Sequence, residues 1–164
     1  MKAVVIMGID PGLNRCGWGL VASEGARLSY LAHGVIAPAP RQQLASRLLC
    51  LFEHLGEVLD AHQPNEVAVE ETYVNNNARA ALALGQARGV ALAAAARRGV
   101  VVAEYSPATI KKAVVGSGGA DKNQIAFMVR RLLPTAGDVS ADAADALGVA
   151  LCHAAHAGMR RMVR

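Results

Sequence analysis

Three places in the chain hold carboxylates where solubility alone would not put them. The run Val4 to Gly12, VVIMGIDPG, carries a set of core-type apolar residues straight into Asp10 and a Pro-Gly turn. The run AVEETYV carries Glu70 and Glu71 at the end of a second apolar stretch, and ADAADALGVA spaces Asp142 and Asp145 three apart. Each has an ordinary explanation: an aspartate before Pro-Gly opens turns by bonding nearby amides, and aspartates early in a helix suit its dipole. The dipole alone does not account for the second case, because Asp142 and Asp145 lead directly into the apolar positions Ala146, Val149 and Ala150 and so point more toward a sheet than toward water. Acids converging on one sheet edge raise one another's pKa unless a cation neutralises them. Oxygen-only donors suit divalent magnesium, and two such ions roughly 4 Å apart can activate a water and stabilise the leaving oxygen of a phosphoryl transfer.

The elements that must position these groups follow from periodicity. Lys2 to Ile9 reads as a buried strand, followed by β-like runs at Cys16 to Ala22 and Leu28 to Ala37; short turns between them imply an antiparallel meander. Apolar residues Leu44, Leu48, Leu51, Leu55 and Val58 step by three and four, which predicts a helix over Arg41 to Ala61, stopped by Pro64. Glu66 to Val74 returns as a strand, and Asn75 to Asn77 can cap a helix from Ala78 to Arg98, ended by Gly99. VVVAEYS supplies a fifth strand, so the order strand, helix, strand, helix, strand predicts right-handed parallel crossovers. The glycine-rich GSGGADKNQ leads into a helix over Asp121 to Leu133, stopped by Pro134, and a last helix runs from Ser140 to Ala157. The expected fold is α/β: a mixed five-stranded sheet, three strands antiparallel and then two parallel, flanked by helices. Asp10 then ends the first strand and Glu70 or Glu71 the fourth, where open α/β sheets place ligands.

Composition narrows the classes. The 164 residues fit one domain, and 53% hydrophobic against 18% charged content argues against disorder. The most membrane-like region, Ala80 to Ala96, is broken by Arg88, so neither a transmembrane helix nor a signal peptide is expected. Cys16, Cys50 and Cys152 are odd in number, far apart and without CxxC spacing, which suits reduced thiols in a cytoplasm. Residues 1 to 75 hold five Lys/Arg against eight Asp/Glu and residues 76 to 164 hold twelve against five, so the carboxyl half alone is +7 and suits a polyanionic partner.

Over nearly its whole length the chain resembles the bacterial RuvC family of Holliday-junction resolvases, in the RNase H-like superfamily. GIDPG with Asp10, AVEETYV with Glu70, LGQARG at Leu84 to Gly89, VVGSGGADK at Val114 to Lys122 and ADAADAL with Asp142 and Asp145 carry the resemblance. It implies that Asp10, Glu70, Asp142 and Asp145 are the catalytic carboxylates holding two magnesium ions per subunit, with manganese able to substitute, and it chooses Glu70 over Glu71. The implied activity is a structure-selective endonuclease. It would resolve four-way DNA junctions by paired symmetric nicks in recombination and repair, leaving 5′-phosphate and 3′-hydroxyl ends. A homodimer and the branch-migration proteins RuvA and RuvB are the implied partners, with residues 1 to 158 as the nuclease domain and 159 to 164 as a basic tail.

Other residues join the site with less specific signals. Tyr73 departs from the phenylalanine some relatives carry, yet a phenol stacks on an unpaired base as a phenyl does. Lys111, Lys112 and Lys122 lie nearest the glycine-rich loop; the resemblance assigns Lys111 and Lys122 to the scissile region and leaves Lys112 a weaker candidate. Free amides at the start of the helix beginning near Lys122 would favour a phosphate there. Cys152, His153 and His156 lack a partner cluster for a zinc site, and Gly85 with Gly89 forms a GxxxG that would serve tight packing within the chain or, by resemblance, a homodimer contact. The competing classes are an actin-like or sugar-kinase phosphotransferase, which usually needs two related domains, a junction-binding protein without catalysis, and an RNase H acting on RNA–DNA hybrids.

Overall fold

Alternation sorts the first strand between two cores. Met7 and Ile9 go to one face of the sheet, and Ile6, Gly8 and Asp10 to the other. A computed structural model of the chain describes residues 2–73 and 76–162, with side chains through residue 158. β1 (Val4–Asp10), β2 (Cys16–Glu24) and β3 (Arg27–Ile36) form the antiparallel meander, and β4 (Glu66–Glu70) and β5 (Val101–Tyr105) add in parallel, giving the order β3-β2-β1-β4-β5. The expected mixed five-stranded sheet is the one observed.

Helices α1 (Leu44–His62) and α2 (Ala78–Ala96) cover one face, burying Leu51, Leu55 and Ala87, Ala91 and Ala94 against Met7, Ile9, Leu20, Val67 and Val69. The other face is covered by α3 (Pro107–Val115), α4 (Lys122–Leu132) and α5 (Ala141–Met162), where Leu147 and Val149 meet Ile6, Val21, Ile110 and Ile125. Truncating a fully buried residue such as Leu147 to alanine costs roughly 2–5 kcal/mol in cores of this kind.

Several boundaries differ from the periodic reading. α1 starts at Leu44, three residues later than expected, because Gln43 is still extended at the N-cap. β4 ends at Glu70 rather than continuing to Val74, the Glu71 amide donating the last ladder bond to the Tyr105 carbonyl at 2.9 Å; Val74 and Asn75 lie outside the described residues. Asn77 caps α2, its side chain accepting from the Ala80 amide at 3.1 Å. α5 continues as helix through Met162, past the 158/159 boundary of the expected basic tail, whose side chains lie outside the described ones. α3 is an element that periodicity does not announce, although Ser106 caps it through the Thr109 amide at 3.1 Å and Pro107 occupies its first turn.

α5 lies directly on the sheet. A Cβ added at Gly8 would collide with the Ala146 carbonyl and one at Gly17 with the Asp142 carbonyl. The absence of side chains at these two positions lets the helix backbone touch β1 and β2 without a padding layer.

Candidate active site

Asp10 at the end of β1, Glu70 at the end of β4 and Asp145 in the second turn of α5 line one open cleft of about 330 Å³, together with Glu71, Tyr73, Lys111 and Lys122. Strand parity explains the choice between the two glutamates. Ala68 packs on the α5 side of β4 while Val67 and Val69 face α1 and α2, so Glu66 and Glu70 fall on the α5 side and Glu71 follows the end of the strand. The sheet brings Asp10 and Glu70 together because β1 and β4 are parallel neighbours, with Ile9 opposite Val69.

The electrostatics of the cleft are those of crowded acids. Burial, then the neighbouring Glu70 charge and a hydrogen bond with Glu70, then Asp145, push the Asp10 carboxyl up to about 8. Crowding thus favours the protonated form of Asp10, and the Glu70 carboxyl, also raised by burial, is partly restored by its hydrogen bond with Asp10. Asp145 is raised by burial and pulled back by Lys122, while the Asp145 charge in turn raises the pKa of Lys122. The Lys122 Nζ stands 3.3 Å from Asp145 Oδ2.

Asp142 is turned away from this group. It does not line the cleft; its Oδ2 accepts from Arg15 Nε at 2.5 Å, a contact across 127 residues of sequence. Among the described residues, no three or more His, Cys, Asp or Glu side chains stand where they could hold one metal ion together. The donor chemistry nevertheless fits a hard divalent cation: three carboxylates from three separate elements converge on one open space, where burial and crowding raise the pKa of each.

The rim residues divide. Tyr73 is 60% exposed at the mouth of the cleft, its ring uncommitted to the core, and Lys111 on α3 reaches the same space, whereas Lys112 faces solvent outside it. Two of the amides at the start of α4 are engaged within the chain. Asp121 and Gln124 form a reciprocal capping box, Asp121 accepting from the Gln124 amide at 2.8 Å and Gln124 from the Asp121 amide at 2.8 Å, and α4 offers the cleft the Lys122 side chain.

Two features have no counterpart in the sequence reading. Arg15 carries no local signal of its partner. His153, set beside Cys152 and His156 as a weak soft-metal candidate, belongs to a different arrangement: its Nε2 donates to Glu66 Oε2 at 2.6 Å and its Nδ1 pairs with the Tyr105 hydroxyl at 2.9 Å. Cys152 and His156 contact each other at 3.7 Å, and all three cysteines are free thiols. A Cβ added at Gly85 or Gly89 would meet nothing within 4 Å among the described residues, so the GxxxG spacing serves no close packing among them. No helix among the described residues is long and apolar enough to cross a membrane.

Known proteins place this geometry. The family profile described as "Crossover junction endodeoxyribonuclease RuvC" matches residues 6–153. The RuvC of Caulobacter sp. (strain K31) is 60% identical over 149 residues, covering 91% of this chain and 88% of that protein. The Thermus thermophilus RuvC, solved in complex with a Holliday junction substrate, superposes with a TM-score of 0.88 at 36% identity over 96% of both chains. The yeast mitochondrial Holliday junction resolvase Ydc2, at 13% identity and a TM-score of 0.67 over 95% of this chain and 82% of its own, shares the fold. With its mixed RNase H-like sheet and a profile match over nine-tenths of its length, the chain belongs to the RuvC family of crossover junction endodeoxyribonucleases.

Proposed function

We propose that the protein resolves four-way DNA junctions by magnesium-dependent hydrolysis of phosphodiesters, and that Asp10, Glu70, Asp142 and Asp145 are its catalytic carboxylates. The observation that carries this reading is the convergence of Asp10, Glu70 and Asp145 from β1, β4 and α5 on one cleft in a chain of this family. These carboxylates would hold two magnesium ions, or manganese in their place, with Asp142 completing the set. When bound, the metal supplies activation of the attacking water and stabilisation of the leaving oxygen.

The chain's own residues do the rest. The β1–β4 pairing keeps the Asp10 and Glu70 carboxylates side by side, and any proton their crowding retains would leave to solvent when the cation binds. Lys122, already drawn to the cleft by Asp145, and Lys111 hold the phosphate as water attacks phosphorus and the bond to the 3′ oxygen breaks, leaving 5′-phosphate and 3′-hydroxyl ends. Tyr73, exposed at the rim, stacks on a base left unpaired at the crossover.

A homodimer suits two symmetric nicks, and α2 offers a face for it: Leu82, Gly85 and Gly89 are exposed along one side of the helix, with no contact at either glycine. The nuclease domain spans residues 1–158, with 159–164 adding basic charge beyond it, and RuvA, RuvB and the cytoplasm complete the setting. The decisive test offers the purified protein a labelled four-way junction, a matched duplex and an RNA–DNA hybrid, with and without magnesium. Selective, magnesium-dependent cutting of the junction is expected; preferential cutting of the hybrid would make it an RNase H. A heterodimer of wild type with an Asp142→Asn, Asp145→Asn subunit is expected to nick one strand only, and paired cuts from it would remove the one-site-per-nick reading.

A further inference from the structure

The four acids stand in two different settings. Asp10 and Glu70 crowd together at the ends of the paired strands β1 and β4, while each α5 carboxylate is paired with a cation: Asp145 with Lys122 at 3.3 Å and Asp142 with Arg15 at 2.5 Å. The Lys122 pair sits in the cleft. Asp142, held in the Arg15 pair, does not line it, and among the described residues no three or more His, Cys, Asp or Glu side chains stand where they could hold one metal ion.

Arg15 lies in the β1–β2 turn, five residues beyond Asp10 and two before Gly17, where β2 touches the α5 backbone at Asp142. The root of its side chain is therefore fixed relative to Asp142 by a backbone contact. Its guanidinium, on a side chain 54% exposed, has solvent to move into. A monovalent cation held at a half-open carboxylate is exchangeable for a divalent one, because the pairing energy of such exposed pairs is small and the double charge is attracted about twice as strongly.

We propose that Arg15 is a resident counter-ion of Asp142 that a divalent cation must displace, so that Arg15 sets the cation concentration at which the cleft is loaded. The proposal rests on the reading of the cleft as a divalent-cation site. Arg15 acts on metal loading through Asp142 and is in that sense a positioning residue, not a group that touches the reacting atoms.

The test is titration of the DNA-free, full-length protein with Mn2+, following free Mn2+ by electron paramagnetic resonance. Arg15→Gln is expected to bind about 5-fold more tightly than wild type, the factor that corresponds to about 1 kcal/mol for a lost exposed ion pair. Arg15→Lys, which keeps the charge, is expected to stay near wild type, as is Lys112→Gln, which removes a solvent-facing charge outside the cleft. In an Asp142→Asn background the Arg15→Gln gain should vanish. An Arg15→Gln affinity equal to or weaker than wild type overturns the proposal, as does a gain that survives Asp142→Asn. Mn2+ binding indifferent to Asp10→Asn would instead overturn the cation-site reading itself, and the proposal with it; loss of binding in Asp10→Asn with indifference to Arg15→Gln would sink the proposal alone.

Discussion

The first turns and the middle of α5 both present polar side chains to the sheet, and the sheet answers them in opposite ways. In the middle, His153 is 2% exposed and fully engaged: Nε2 donates to Glu66 and Nδ1 accepts from the Tyr105 hydroxyl, the tautomer that the Glu66 carboxylate dictates. Eight residues earlier, Asp145 meets Asp10 and Glu70 in an open cleft where one exposed lysine answers three acids. The same helix and the same strand β4 supply both places, Glu66 at one end and Glu70 at the other. A closed network of unlike groups stabilises and asks for nothing further. A cluster of like groups left open is poised for a ligand that brings the missing positive charge.

That contrast can be broken from either side. The largest effect belongs to Asp10→Asn, which removes a ligand charge without changing shape: cleavage of a labelled junction is expected to fall by about a thousandfold or more, the scale of losing one main electrostatic group, while gel-shift binding is retained or improved. Undiminished cutting would take Asp10 out of the mechanism. Next comes His153→Ala, which leaves Glu66 and Tyr105 facing a void and is expected to cost roughly 2–4 kcal/mol in urea unfolding. A loss under about 0.5 kcal/mol, the range of ordinary surface changes, would mean that the closed network contributes little.

Tyr73→Ala tests the rim, with an expected loss of roughly 1–3 kcal/mol in productive complex by single-turnover cleavage and no change in Tm. A Tm that fell with activity would return Tyr73 to the core. A smaller effect concerns stability without metal. The Asp10 carboxyl titrates at 3.8 unfolded and at about 8 folded, so the folded state keeps its proton longer; the resulting stabilisation is complete below about pH 4 and is lost as pH rises through 8. Measured from pH 5 to 9 in chelator, the Tm of wild type should fall relative to that of Asp10→Asn, and parallel curves would contradict the crowding of the acids. Smallest of all, Lys112→Ala should change cleavage by less than about twofold, as for other surface charges.

Much of this is written locally in the chain. β1 and its terminal aspartate follow from an apolar run ending in Pro-Gly, and α5 from alanine-rich periodicity behind a pair of aspartates. α3 is also legible, in Ser106 and Pro107, but the short apolar spacing behind them reads equally as part of a loop. The Asp121 and Gln124 spacing signals a capping box in the same local way. What cannot be read are pairings between distant segments: Arg15 with Asp142, Glu66 with His153 across 87 residues, and the turning of Asp142 out of the cleft while Asp145 points in. Spacing puts two side chains on one helical face; only the opposing surface decides which of them meets what.

The bare contact of α5 with the sheet at Gly8 and Gly17 separates two kinds of change that most cores mix. Where helix and sheet meet through interlocked side chains, any substitution that alters their volume shifts one element against the other. Here the spacing of Asp10 from Asp142 and Asp145 is set main chain against main chain, so α4 residues away from those contacts, such as Ile125 or Val129, can be rewritten for stability while the acids keep their places. The freedom to drift lies in the core, and the constraint lies in two positions that must have no side chain.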